Sequence, residues 1–524
     1  MSKPPFFKNL IEKTAGNEIV LIFLAVLILG APTLVYPFGR DQGQYAWIAA
    51  SANNGHLIYH DIFEIKPPFT HFVHQAALLA FGHNMSAIRI LDMFWQLATA
   101  LLVYKIALQI EQPRRAGLFA AVLYLFAYYH MDFWSTAQTD GFLTLPVAAG
   151  ILFFLQAHQK NSLRLYAASG AAVGLGVLFK YPIGILVVFL ALLALLSQKK
   201  NGLFPLLCIG LGFAAPLAIG ALIMFLRGNL LDFLWIQFIY IPNYSTIPHK
   251  DLSYAAGLML GLLWALISPV PGWVSLCGVV GLATSANRFR WVQMTVIAAW
   301  WIAAVFHFVI QNKFYSYHSL PVYAPIALMM SSLFVDAGKR HGLIRFMLGA
   351  MGAVFVFHAF FSSDFPQKYN RLFDVALGHT TLEAGYGADL FDKGEDFSSR
   401  ADLQVADYLR ANTRDSQTIF IWGFEPGIYF LGQRQNATRF IYNITLYGPN
   451  ANPHLQRVFL EEIQAQKPAY VVIVRNDSMS FVTATADDSW AAFNSFDEFH
   501  EFVLENYELD TTIQDFVIYR LQTK

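Results

Sequence analysis

Charged side chains make up only 13% of this sequence, so those that interrupt its apolar stretches are the first places to look for chemistry. Asp41 follows the first long apolar run. A carboxylate there suits a general base or the stabilisation of a developing cation inside a cavity, and the alternative is a solvated loop aspartate beside Arg40. Lys66 stands directly before Pro67-Pro68, whose fixed φ angles hold it rigidly and open the next helix. An ammonium so held suits an anionic phosphodiester, or equally the ordinary phosphates of a lipid surface. Arg89 and Asp92 lie three apart, on one helical face, where they pair with each other unless the Arg89 fork takes a phosphate. His130, Asp132 and Asp140 share one loop region, but their spacing fits no zinc pattern and no metal is indicated. Tyr315, Tyr317 and His318 in KFYSYHSLP offer either a stacking face for a sugar or an interfacial aromatic belt.

Other chemistries lose their usual signals. The sequence has no G-x-x-x-x-G-K-[ST], no G-x-S-x-G, no H-E-x-x-H and no Rossmann glycine fingerprint, so no cofactor is implied. A formal net charge of zero gives no basic face for a nucleic-acid partner. Cys208 and Cys277 both sit in apolar segments and read as small buried hydrophobes rather than as a bridge or a zinc site.

The elements that must position these residues are membrane helices. A hydrophobic fraction of 56% and a mean hydropathy of +0.44 require lipid in place of water over much of the surface. With roughly 20 apolar residues per crossing, the sequence predicts a polytopic α-helical membrane protein with about eleven spans: 18–37, 86–109, 116–130, 141–157, 165–180, 182–197, 203–226, 255–285, 292–310, 320–337 and 346–363. The first span lacks a small-residue cleavage site and reads as a retained helix. Lys3, Lys8, Lys13, Arg114-Arg115, Lys160, Arg164, Lys199-Lys200, Arg288, Arg290, Lys339-Arg340 and Arg345 fall in alternate loops, which the positive-inside rule makes cytoplasmic, starting with the N-terminus.

Arg40, Lys66, Arg89, Lys180, Arg227, Lys250 and Lys313 then lie at the outer side. A cation near hydrocarbon costs about 2.5 to 3.5 kcal/mol, so each has either an anionic partner or a snorkelling route to headgroups. Gly39 to Arg89 forms a long outer connection, with short helical stretches at 44–52 and 69–81 expected to lie along the interface. From about residue 364 charges multiply. This divides the chain into a transmembrane domain, 1–363, and an outer soluble α/β domain, 364–524. Strands are expected at Ser416 to Trp422, Thr438 to Tyr442, Ala469 to Val474 and Asp515 to Leu521, and helices at 401–411, 453–466 and 496–506. The absence of a long linker suggests that the two domains pack together.

Taken in order, several motifs resemble those of the C-type integral-membrane glycosyltransferases, in particular the bacterial relatives of the protein O-mannosyltransferases and of the aminoarabinose transferase acting on lipid A. Asp41-Gln42-Gly43-Gln44-Tyr45 is similar to that family's Asp-Glu-x-x-Tyr, with Gln42 in place of glutamate. Glu64-Ile65-Lys66-Pro67-Pro68 resembles its Lys-Pro-Pro loop, followed by Phe81-Gly82 and Arg89. Thr139-Asp140, Gly174 to Pro182 and Tyr317 to Pro325 complete the series. The resemblance implies that Asp41 is the catalytic carboxylate and that Lys66 holds the phosphate of a polyprenyl-phosphate sugar donor; for the charge that develops on the leaving phosphate, Arg89 or Lys180 is a further candidate partner. Asp140, a weaker candidate for holding donor or acceptor, joins Tyr45, Tyr317 and His318 as the remaining candidate substrate contacts.

The activity so implied is transfer of one sugar to an extracytoplasmic acceptor (lipid A, a glycan or a protein) at the outer face of a bacterial inner membrane, without ATP. Two alternatives remain: an oligosaccharide or O-antigen ligase of the same fold, and a non-enzymatic flippase or transporter of lipid-linked sugars. The latter would show internal repeats and broken helices at the midplane.

Overall fold

A computed structural model describes residues 17–198, 202–242, 275–284, 290–334, 365–388 and 396–522, with a few isolated positions between them. The helical part opens with α1 (Glu18–Gly30), continued by a 3-10 turn to Val35. Two shorter helices follow, α2 (Arg40–Asn53) and α3 (Phe69–Phe81), then α4 (Met85–Gln109), α5 (Arg114–Tyr129), α6 (Thr139–Lys160), α7 (Leu163–Val177), α8 (Ile185–Ser197) and α9 (Leu203–Arg227). After α10 (Leu230–Trp235) come α11 (Ser275–Thr284), α12 (Trp291–Ile310) and α13 (Leu320–Ser331).

Their ends are set locally. The Asn84 side chain accepts the Ala87 N–H at 2.9 Å to start α4, and a left-handed Asn161 closes α6, a position that asparagine tolerates. Among the described residues five helices are long and apolar enough to cross a bilayer: Glu18–Val35, Met85–Gln109, Thr139–Lys160, Leu203–Arg227 and Trp291–Ile310. The chain is therefore a polytopic helical membrane protein with a C-terminal sheet domain. About half of the expected span 255–285 and most of 346–363 lie outside the described residues, as does Lys250. Small residues set the closest packing: a Cβ on Gly170 of α7 would sit 2.0 Å from the Ile209 carbonyl oxygen of α9. Backbones approach this closely only where side chains are absent.

The stretches 44–52 and 69–81 are helical as the spacing predicts, but α2 does not lie along a lipid surface. Ten of its fourteen residues are buried, because the C-terminal domain covers it: Gly43 touches Gly427, and the Trp47 ring packs on Tyr429 at 5.3 Å. Its apolar residues fit either a bilayer surface or a protein surface, and periodicity does not distinguish the two.

The C-terminal sheet has the order β2-β1-β3-β5-β4. It is built from β1 (Thr418–Trp422), β2 (Gln435–Asn436), β3 (Tyr470–Val474), β4 (Tyr507–Ile513) and β5 (Phe516–Leu521). β1 runs parallel to β2 and β3, while β5 is antiparallel to β3 and β4. The expected helices are present as Ser399–Asn412, Pro453–Gln466 and Asp497–Asn506. Thr438 to Tyr442 is buried but is not a strand. Asn436 Nδ2 donates to the Phe440 carbonyl at 2.7 Å and Arg439 turns to Glu462 at 2.7 Å, so side chains replace the ladder. Strand β4 escaped the reading because its Glu508 and Leu509 are exposed at the sheet edge, which blurs the apolar alternation.

Candidate active site

The first turn of α2 is tied down on several sides. Gln42 Oε1 accepts the Gly39 N–H at 3.1 Å, and its Nε2 donates to the carbonyls of Phe133, Trp134 and Thr136 at 3.2, 2.9 and 2.8 Å. A glutamate cannot donate to three carbonyls, which explains the amide at this position. Gln44, two residues on, donates to Glu64 Oε2 at 2.6 Å. Asp41, the residue before Gln42, receives the Tyr317 hydroxyl at 2.8 Å and Gln138 Nε2 at 3.2 Å, both on Oδ2. Among the described residues Oδ1 is left unbonded. Burial and the Asp41 charge push the Tyr317 phenol well above its ordinary range, so it stays a donor.

The Lys66 loop is fixed by its backbone. Its N–H donates to Glu64 Oε1 at 2.6 Å and its carbonyl accepts the Tyr59 hydroxyl at 2.8 Å, while Pro68 leads into α3. Glu64 thus joins the Lys66 loop to the helix that carries Asp41. Burial pushes the Glu64 carboxyl up to about 7 against the pull of those hydrogen bonds. His71, with Nε2 3.8 Å from Glu64, is driven down to about 3 by burial and by Lys66, and is a neutral imidazole.

Asp41 and Lys66 open on the same cavity, of about 350 Å³. The helical domain adds Asp132, Trp134, Tyr315 and Tyr317, and the C-terminal domain supplies Phe424, Tyr442, Ile444, Met479 and Val482 together with Asp396. Tyr315 and Tyr317 stack at 5.3 Å between centroids. Among the described residues Lys66 forms no ion pair, so its ammonium remains available to an anion at the wall.

The other residues singled out from the sequence stay behind this wall. Lys180 Nζ pairs with Asp140 Oδ2 at 2.6 Å and His307 Nε2 meets Oδ1 at 2.8 Å, forming a closed group below Tyr317, whose ring centroid is 5.7 Å from Lys180 Nζ. His318 packs edge-on to Tyr317 at 4.7 Å, and Tyr45 stacks on His74 at 5.4 Å.

Arg89 departs most from expectation. It is fully buried and donates to the carbonyls of Pro37, Phe133 and Thr136 and to the Thr136 hydroxyl, at 2.9 to 3.0 Å, so its fork anchors the 133–136 loop. It makes no pair with Asp92, whose Oδ1 instead accepts Tyr128 and Gln96 at 2.8 and 2.9 Å. His130, Asp132 and Asp140 also separate: His130 Nδ1 meets the Ala127 carbonyl at 2.6 Å, Asp132 caps Ser135 at 3.0 Å, and Asp140 joins Lys180. Gln138, Gln44 and His307 went unmarked, since amides and a lone histidine in an apolar helix carry no distinctive spacing. The C-terminal wall had no signal at all.

Known proteins resemble this chain in sequence and in fold. The family model described as dolichyl-phosphate-mannose-protein mannosyltransferase matches residues 65–223, a stretch that includes Lys66 and Lys180 but not Asp41 or Tyr317. Undecaprenyl phosphate-alpha-4-amino-4-deoxy-L-arabinose arabinosyl transferase 2 from Sodalis glossinidius is 27% identical over 60% of this chain and 60% of its own. The corresponding transferase from Erwinia tasmaniensis is 25% identical over the same shares. These matches therefore span less than two thirds of the relatives' length. The crystal structure of ArnT from Cupriavidus metallidurans bound to undecaprenyl phosphate superposes with a TM-score of 0.62 at 16% identity, over 96% of this chain and 98% of that one. The fold is that of the C-type integral-membrane glycosyltransferases. Within that class the sequence is related to the bacterial aminoarabinose transferases, as its motifs implied.

Proposed function

We propose that the protein transfers a sugar from a polyprenyl-phosphate donor to an acceptor at the extracytoplasmic face of a bacterial inner membrane. The observation that carries this reading is the shared cavity of Asp41 and Lys66: among the described residues, a carboxylate with one bonded and one open oxygen, and an unpaired ammonium on a rigid loop. In this reaction the anomeric C–O bond to the phosphate breaks, and charge builds on the departing polyprenyl phosphate. Lys66 stabilises that charge. Asp41 Oδ1 takes the acceptor's proton as the acceptor oxygen bonds to the anomeric carbon, while Tyr317 and Gln138 hold Oδ2 in place. The stacked Tyr315 and Tyr317 rings give the sugar a face, and the C-terminal domain lines the side from which the acceptor enters.

The eleven-span topology, a cytoplasmic N-terminus, and a division into a membrane domain (1–363) and an outer domain (364–524) belong to the same proposal. A C-terminal fusion to a reporter active only in the cytoplasm is expected to stay silent. The chemistry is tested with the purified protein in liposomes, supplied with polyprenyl-phosphate sugars and envelope acceptors and read by product mass. One added hexose or pentose supports the reading and names the sugar. Addition of a whole glycan from a pyrophosphate carrier replaces it with a ligase, and movement of the lipid-linked sugar without any product replaces it with a flippase.

A further inference from the structure

The reaction proposed above uses Asp41 but not the residue before it, and Arg40 is the most heavily engaged cation near the cavity. Its Nε and Nη2 meet Glu425 Oε1 at 2.8 and 2.6 Å. Nη1 reaches Asp396 Oδ2 at 3.0 Å, and Nη2 donates to the Asp396 carbonyl at 2.6 Å and to Oδ1 at 3.1 Å. The guanidinium lies 5.9 and 5.8 Å from the ring centroids of Trp134 and Phe397. Arg40 is 8% and Glu425 3% exposed. Every carboxylate partner belongs to the C-terminal domain, and one turn further along α2 Gly43 touches Gly427, where a Cβ would sit 2.6 Å from the Gly427 Cα.

For stability alone, a buried ion pair is no better than well-packed apolar residues. It differs in geometry, because a planar fork held at several points fixes both position and orientation. The first turn of α2 is therefore fixed from three directions. Gln42 ties it to the 133–136 loop, Gln44 ties it to Glu64, and Arg40 ties it to the C-terminal domain. Asp41 sits among these anchors.

We propose that Glu425, assisted by Asp396, is a positioning residue for the transfer reaction: it holds Arg40, and through Arg40 the first turn of α2, so that Asp41 keeps its aim into the cavity. The proposal rests on the assignment of Asp41 made above and gives the C-terminal domain a direct part in the catalytic step.

The test uses full-length protein in liposomes. Glu425→Gln keeps the shape and removes the charge. Its kcat is expected to fall about 10- to 100-fold, the scale of a misplacement near 1 Å. KM for the donor and the affinity for polyprenyl phosphate alone should stay within about threefold of the parent, since Lys66 is untouched. Glu425→Asp, which keeps the charge with a shorter reach, should recover part of kcat, and Asp396→Asn should lose less because that side chain is 44% exposed. Parent-like kcat in Glu425→Gln overturns the proposal. So does a proportional loss of kcat and polyprenyl-phosphate affinity with a lowered unfolding temperature, which marks a purely structural contact. If Glu425→Gln does not fold, the same comparison of kcat with affinity is read from Glu425→Asp. Asp41→Asn is run alongside: normal turnover there removes the catalytic reading itself, whereas an inactive Asp41→Asn beside a normal Glu425→Gln removes only the positioning role.

Discussion

Two charged groups lie on either side of Tyr317 and are built on opposite principles. Below it, Asp140 is held from both sides, by Lys180 at 2.6 Å and by His307 Nε2 at 2.8 Å. Above it, Asp41 and Lys66 face a common cavity, with one carboxylate oxygen and the ammonium uncommitted among the described residues. The closed group resembles a structural weld, which is costly to break from one side. The open pair holds charge apart until a ligand arrives. Scarcity of charge in an apolar chain marks both groups alike, and only the pattern of partners separates scaffold from chemistry.

The comparison breaks most directly at Asp41. Asp41→Asn is expected to lower transfer about 10²- to 10⁴-fold, with the unfolding temperature unchanged, as measured by single-turnover assays beside thermal unfolding in detergent. In the closed group the losses should reverse. Lys180→Ala leaves Asp140 buried without its cation and should destabilise the protein by about 3 to 5 kcal/mol, and the double change with Asp140→Asn should restore much of it. Denaturant unfolding reads both, and additive losses would dissolve the idea of a weld.

Lys66→Ala should leave stability nearly untouched and weaken polyprenyl-phosphate binding by about 1.5 to 3 kcal/mol, roughly ten- to a hundredfold. Lys66→Arg should recover part of that. A direct binding titration decides, and parent-like affinity in the alanine variant makes Lys66 an ordinary interfacial lysine.

The smallest effect concerns Glu64. Its folded pKa of about 7 stands above its ordinary 4.5, so between those values the folded state keeps a proton that the unfolded chain has released. Its contribution to stability therefore falls as pH rises from 4.5 towards 7. Glu64→Gln should flatten that part of the parent's unfolding curve, and an unchanged slope would show that Glu64 does not titrate there.

Much of this was legible in the sequence, and the rest was hidden for identifiable reasons. Long apolar runs fixed α1, α4 and α9 to within a few residues, and buried apolar cores revealed β1, β3 and β5. Lys66 beside its prolines could be read as rigid before any coordinates. Arg89 could not be separated from Lys66, because both are lone outer cations and only coordinates show that Arg89 spends its donors on carbonyls. Tyr45 likewise stands in a motif but faces histidines inside. The contact of Arg40 with Glu425 spans 385 residues, and no local pattern in either segment points to the other.

Helix α13 has a consequence for how the protein is made. All twelve of its residues are buried, against α5, α6, α11 and α12. It therefore has no lipid-facing stripe, and its stable place is a slot rather than the bilayer. Each of those neighbours precedes it in the chain, so synthesis completes the slot before the insert emerges. A ribosome stalled far enough past Ser331 for α13 to have cleared the exit tunnel should feel a pulling force on the nascent chain that vanishes when α11 and α12 are deleted. A force indifferent to that deletion would mean that α13 enters the lipid first and is enclosed later.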